Sequence, residues 1–188
     1  MDNKLTYIII GVVLFGLYLL YVSLIKKRNK VKEAMSGIDV QLKKRYDLIP
    51  NLLNMTKKFM EHEKELMTEI VRLRSEAMKK SFNGNPKEMM ELDNLIDSKL
   101  KDFWLSVENY PDLKSNQTML QAMQSFNEVE EHIAAARRFY NASVNDLKNT
   151  VEIFPGNVIA RLVGVKADMP FFEAENAAKA RIDSTELL

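Results

Sequence analysis

The sequence predicts an all-α protein, an antiparallel (up-and-down) four-helix bundle of long helices preceded by one N-terminal transmembrane helix. Three observations carry this. An uncharged apolar run occupies residues 5–25, and beyond it apolar residues recur at intervals of three, four or seven. Only six glycines and five prolines interrupt 188 residues, too few turn residues for a β-rich domain. No stretch alternates polar and apolar side chains for long enough to form a strand. With 46% hydrophobic and 28% charged residues, the chain can bury one sizeable core. Its formal net charge of +1 lacks the excess of a nucleic-acid binder. The absence of cysteine removes disulfides, thiolate zinc sites and a cysteine nucleophile together.

The run LTYIIIGVVLFGLYLLYVSLI is 21 residues long, which at 1.5 Å per residue matches a bilayer core. Fourteen of its positions are Leu, Ile, Val or Phe, and together they favour insertion by about 4 to 8 kcal/mol. Tyr7 near one end, and Tyr18 and Tyr21 toward the other, suit headgroup level. The run is too long for a signal peptide and no small-x-small cleavage site follows it. Lys26, Lys27, Arg28, Lys30 and Lys32 come after it and only Lys4 before. That asymmetry places the N-terminus outside and the large domain in the cytoplasm. The same cluster either only sets topology or also attracts anionic headgroups.

A first helix is expected over about 28–81, on a stripe of Val31, Met35, Ile38, Leu42, Ile49, Leu52 or Leu53, Phe59 or Met60, Leu66, Ile70, Leu73 and Ala77. Pro50 lies inside it and predicts a kink or restart near Asp47–Asn51. A stop follows at Asn83–Asn85, where Asn85 can cap a second helix with Pro86 in first position and Glu88 completing a capping box. That helix buries Met89, Leu92, Leu95 or Ile96, Leu100, Phe103 or Trp104 and Val107, and ends at Tyr110 and Pro111. Ser115 or Asn116 caps a third, running on Leu120, Met123, Phe126, Val129 or Glu130, Ile133, Ala136, Tyr140, Val144, Leu147 and Val151 to Phe154–Asn157. Two short apolar segments, 158–163 and 170 to about 182, read as a broken fourth helix, the latter half capped by Asp168.

The stretch IDVQLKKRYDLIPNLL at 38–53 is very similar to the signature of the LemA family of bacterial proteins. Glu61, His62 and Glu63, then YPDLK at 110–114, EHIAAARRFYN at 131–141, FPGN at 154–157 and the paired Phe171 and Phe172 agree in order. The resemblance covers nearly the whole chain, except that the tail ENAAKARIDSTELL departs from the Pro- and Val-containing ending common in the family. It implies a four-helix bundle on a membrane anchor, with no established catalytic activity, cofactor or small-molecule ligand. One branch of the family looks like magnetosome-membrane proteins, and other members are linked to envelope stress and membrane proteases. The expected organisation is a short extracytoplasmic N-terminus at 1–4, a transmembrane helix at 5–25, a basic juxtamembrane segment at 26–33, a LemA-like bundle at 34–165 and a partly helical C-terminal segment at 166–188 that can pack on it.

Little in the sequence points to catalysis. Neither His62 nor His132 belongs to a Glu-x-x-His motif of di-iron bundles, and His62-Glu63 lacks the second histidine of a zincin helix. Glu128 stands one turn below His132, a pairing open to two readings: a carboxylate-rich metal patch serving an enzyme or sensor, or ordinary helix-surface pairing. No activated serine or lysine and no phosphate-binding glycine loop is present. Lys43, Lys44 and Arg45, with Asp39 and Asp47 at helical neighbour distance, either pair along a solvated face or form a docking surface with Pro50 and Asn51. Arg137 and Arg138 are expected to reach a carboxylate such as Asp39 or Asp47. The eleven methionines serve as core filling or as an adaptable groove for partner helices.

The expected function is therefore a non-enzymatic, membrane-anchored scaffold or adaptor without a cofactor. Its partners would be the lipid bilayer and other membrane or membrane-associated proteins, with homo-oligomers open and nucleic acid excluded. It would sit in a bacterial inner membrane or an organelle membrane derived from it. A transmembrane signal relay through the long first helix is the third reading.

Overall fold

No proline occurs before Pro50, so nothing interrupts helical hydrogen bonding between the apolar run and the first amphipathic stripe. The computed structural model, which describes residues 2–82 and 84–172, accordingly joins them in one continuous helix, α1 (Asp2–Thr56). A single 3-10 turn (Glu61–Glu63) follows, then α2 (Lys64–Ala77), α3 (Pro86–Glu108), a one-turn α4 (Pro111–Lys114), α5 (Gln117–Glu152) and α6 (Gly156–Val163). Among the described residues all regular structure is helical.

The two parts of α1 face different surroundings. From Leu5 to Leu19 its large apolar side chains lie outside the protein's own core, with Tyr7 72% and Val12 67% exposed. It is a helix long and apolar enough to cross a membrane. From Leu24 onward Val31, Ile38, Leu42 and Ile49 are buried. These side chains form one core with α2, α3 and α5, joined by Ile159, Ala160 and Val165.

No restart occurs near Asp47–Asn51: the helix continues through Pro50 to Thr56. Proline at 50 deprives the carbonyl of Tyr46, four residues back, of its usual donor. Arg74 on α2 supplies a replacement, its Nε donating to that carbonyl at 2.6 Å. A side chain from a neighbouring helix thus satisfies the acceptor that Pro50 exposes.

The break comes instead at 57–60, where the backbone N–H groups of Phe59 and Met60 both donate to the Thr56 carbonyl. The single helix expected over 28–81 is therefore two. Arg74 meets Tyr46, and Phe82 N–H donates to Asp39 at 2.8 Å, so α2 runs back along α1. Met60 is buried at the reversal; because Phe59 and Met60 keep the apolar period, the turn is concealed in the pattern.

Asn85 caps α3 as expected, accepting from Glu88 N–H at 3.3 Å with Pro86 in the first turn. Lys80 pairs with Glu88 across this turn, and α2 and α3 pack antiparallel. Asn116 caps α5 through Thr118 N–H at 2.9 Å. α5 packs along α1 in the opposite direction: Lys27 meets Thr150 and Arg45 meets Glu130. Of the two segments read as a broken fourth helix, 158–163 falls within α6. The second lies mostly outside the described residues, and its described part, 170–172, is not helical.

The segment after α6 returns along α5. Tyr140 Oη donates to the Pro170 carbonyl at 2.9 Å, while Asn141 both donates to and accepts from the Phe172 backbone, each at 2.9 Å. The Phe172 ring stacks on Phe82 and meets Tyr140 edge-on, so three distant parts of the chain share one aromatic cluster.

Candidate functional site

Three helices place charged residues where their apolar spacing calls for core side chains. On α1, Arg45 falls three residues after Leu42 and four before Ile49. On α3, Asp93 stands four after Met89 and three before Ile96, and on α5 Glu130 and Arg137 flank Ile133 by three and four. Positions so spaced share the inward face. They meet in the middle of the helical body.

Arg45 is the hub and is fully buried. Its Nη2 pairs with Asp93, its Nη1 with Asp97, and Nη1 also lies 3.3 Å from Glu130 Oε1. Arg137 closes the cluster on the other side, its Nη2 pairing with Asp93 and lying 3.0 Å from Asp97 Oδ2. Asp93, also fully buried, is thus held between two guanidinium groups. The Arg137 guanidinium also stands over the Phe172 ring, 5.2 Å from its centroid. Planar guanidinium forks suit such an arrangement, because each can bridge carboxylates on separate side chains.

Burial alone would lower the Arg45 pKa, but Asp93, Asp97 and Glu130 outweigh it and raise it, so its charge is secure. The same balance, through Asp93 and Asp97, raises Arg137. Two cations face three carboxylates, and Glu130 bears the imbalance: burial lifts its pKa above the ordinary range and Asp97 adds to this, while Arg45 opposes it. Burial also pushes the Tyr140 hydroxyl up to about 12. Burying charges in this way carries a desolvation cost that can exceed the attraction between them.

One side of the cluster opens to solvent through a cleft of about 370 Å³ between α3 and α5, lined by Asp97, Lys101, Trp104, Asn127, Glu130 and Arg137. Of the two residues offered for one stripe position, Phe103 is buried, while Trp104 is half-buried and packs edge-on against Phe103 and Phe126. A second, mostly apolar groove of about 510 Å³ lies between α1 and α5 at the end farthest from the apolar run. Leu48, Asn51, Met55, Gln121, Ala122 and Phe126 are among its walls.

The candidate docking residues are thereby divided. Lys43, Lys44, Asp47 and Asn51 are exposed and Pro50 is half-buried. Of these, Asn51 lines the distal groove. Arg45 is not part of an exposed basic surface, because its phase on α1 turns it inward while its two lysine neighbours turn out. Arg137 reaches neither Asp39 nor Asp47: its face of α5 meets α3, so Asp93 and Asp97 are its partners. Arg138 is exposed.

In the juxtamembrane cluster, Lys26, Lys30 and Lys32 are exposed and Lys27 and Arg28 half-buried. Lys27 donates to Thr150 Oγ1 at 2.7 Å, and the Lys30 ammonium stands over the Phe139 ring. Glu128 and His132 are both exposed on α5, where Gln124 donates to Glu128 at 3.1 Å. Among the described residues no three His, Asp or Glu side chains are gathered to hold a metal ion, so the Glu128–His132 metal reading finds no site.

The sequence model of the LemA family matches residues 34–184. Over 98% of its length the chain is 24% identical to the Protein LemA of Metamycoplasma hominis, of which it covers 85%. The match takes in the whole charge cluster and leaves out the apolar run that precedes it.

Proposed function

The chain belongs to the LemA family, and on that footing we propose that it is a single-pass membrane protein whose helical body is a non-enzymatic scaffold for other proteins. The observation that carries this is α1 itself. It is one helix whose first half offers apolar side chains to its surroundings and whose second half is the spine of the core. In this reading 5–25 spans a bacterial membrane, 26–33 is the basic collar, and 34–165 is an antiparallel four-helix bundle of α1, α2, α3 and α5 in the cytoplasm. The five-to-one distribution of basic residues about the run supports that orientation. The distal groove beside Asn51, mostly apolar and at the end of α1 far from the apolar run, is the surface offered to partner helices.

Crosslinking in living cells tests this, with photoreactive side chains placed at Asn51 and Gln121 on the groove and at Glu91 on an exposed face of α3 as reference. Specific capture from the groove positions, with the protein retained in carbonate-washed membranes, is the expected result. An unprocessed chain free in the supernatant rejects the anchor; equal capture from all three positions, or none, rejects the groove. The continuity of α1 also favours a relay between span and bundle. Glycines introduced at 28–30 would abolish a response that depends on it, and an unchanged response excludes that role.

A further inference from the structure

Where α5 ends, the chain forms a corner whose apolar surface the described residues leave exposed. Ile153 is 63% exposed, Phe154 76% and Leu162 82%, with Val158 exposed one turn before Leu162. On α6, Val158 and Leu162 share one face by their i, i+4 spacing, while Ile159 and Ala160 turn into the core. The corner is also firmly built. A Cβ on Gly156 would stand 2.2 Å from the Thr150 carbonyl oxygen, so only glycine lets α6 fold back this closely on α5. Gly164, at φ 71°, ends α6: its N–H reaches the Arg161 carbonyl and that of Val165 reaches Ala160, with Val165 buried.

The height of this surface along α1 is given by a hydrogen bond. Lys27, the second residue after the apolar run, donates to Thr150 near the end of α5. Because α5 runs toward the N-terminal end of α1, the corner that follows Glu152 begins close to the end of that run. There α6 packs on α1, and Leu24, although inside the run, is 1% exposed. The exposed apolar side chains of the corner therefore lie close to the end of the apolar run. Arg161 and Lys166, both exposed, supply positive charge next to it.

We propose that the α5–α6 corner is a second membrane contact, in which Ile153, Phe154, Val158 and Leu162 enter the headgroup–acyl boundary of the bilayer that α1 crosses, with Arg161 and Lys166 among anionic headgroups. This rests on α1 spanning a bilayer. The body then meets the membrane at two places and is fixed in its rotation about the span.

The absence of cysteine permits a direct test on the full chain in phosphatidylcholine–phosphatidylglycerol vesicles. A nitroxide is attached after Leu162→Cys, Val158→Cys, Tyr18→Cys in the span or Leu105→Cys on the distal part of α3, and accessibility to oxygen is compared with that to a water-soluble nickel complex. The labels at 158 and 162 are expected to shift to the oxygen preference of hydrocarbon, as at 18, while the label at 105 prefers nickel. If 158 and 162 prefer nickel while 18 prefers oxygen, the corner lies in water and the inference fails with the anchor intact. If 18 also prefers nickel, the spanning reading fails and takes the inference with it. Shielding of 162 from both reagents, with spin–spin broadening, identifies a second copy as the occupant and overturns the proposal.

Discussion

Replacing Arg45 with methionine tests the charge cluster most severely. Arg45 and Asp93 are both 0% exposed, so neither can be resolvated in place. The variant leaves Asp93 with Arg137 alone and changes the balance from two cations against three carboxylates to one against three. Breaking a buried pair from one side costs about 3–5 kcal/mol, which for a chain of this size lowers Tm by about 6 to 20 °C. Arg137→Met is the internal comparison. Its side chain is 24% exposed and Asp93 retains Arg45, so about 1–3 kcal/mol is expected. Urea unfolding of the detergent-solubilised full chain, followed by far-UV circular dichroism and Trp104 fluorescence, measures both. Adding Asp93→Leu to Arg45→Met removes the orphaned charge, so the double variant should cost less than the two singles summed, with a coupling of about 1–3 kcal/mol. An Arg45→Met variant within 1 kcal/mol of the parent, or indistinguishable from Arg137→Met, would refute the reasoning.

Four further outcomes are expected. Glu130 binds its proton more tightly folded than unfolded, so its contribution to stability is complete below the ordinary carboxylate value and is lost as pH rises through the raised folded one. Glu130→Gln should therefore flatten the urea midpoint from pH 4.5 toward neutrality, and an unchanged slope counts against this. Arg74→Met orphans the Tyr46 carbonyl at about 1–3 kcal/mol, whereas in a Pro50→Ala background, where an N–H is restored, it should cost far less; a double-mutant cycle reads the difference. Asn141→Ala removes both hydrogen bonds to Phe172 and should speed amide exchange at Phe172 at least as much as Tyr140→Phe does. Gly156→Ala forces the corner off Thr150 at about 1–3 kcal/mol, visible as a lowered Tm, while Gly37→Ala, with open space at its Cβ, should not lower it.

What the sequence made legible was local. Asn85 and Asn116 cap their helices because a short side chain there meets free N–H groups one turn on, a relation contained in four residues. The apolar run and the stripe of α1 were readable for the same reason. The reversal at 57–60 was not, because Met60 is buried in the turn and looks like another step of the helical period. Arg45 was misread through its company: Lys43 and Lys44 suggested a solvated cluster, although its spacing from Leu42 and Ile49 already placed it inward. A charged residue in an apolar register was the available signal, repeated at Asp93, Glu130 and Arg137. Which of these would meet depended on three helices converging, and no single-helix pattern contains that.

The unbroken passage of α1 from the apolar run to the body has a mechanical consequence. A flexible linker would let the soluble part wander over a range of heights, but a helix holds it at one. With the apolar run in a bilayer, Arg45 stands twenty residues past its end, about 30 Å from the hydrocarbon edge at 1.5 Å per residue. The groove beside Asn51 stands farther out still. In the proposed reading, whatever binds there must itself reach that altitude, so the protein would work as a gauge as well as a tether.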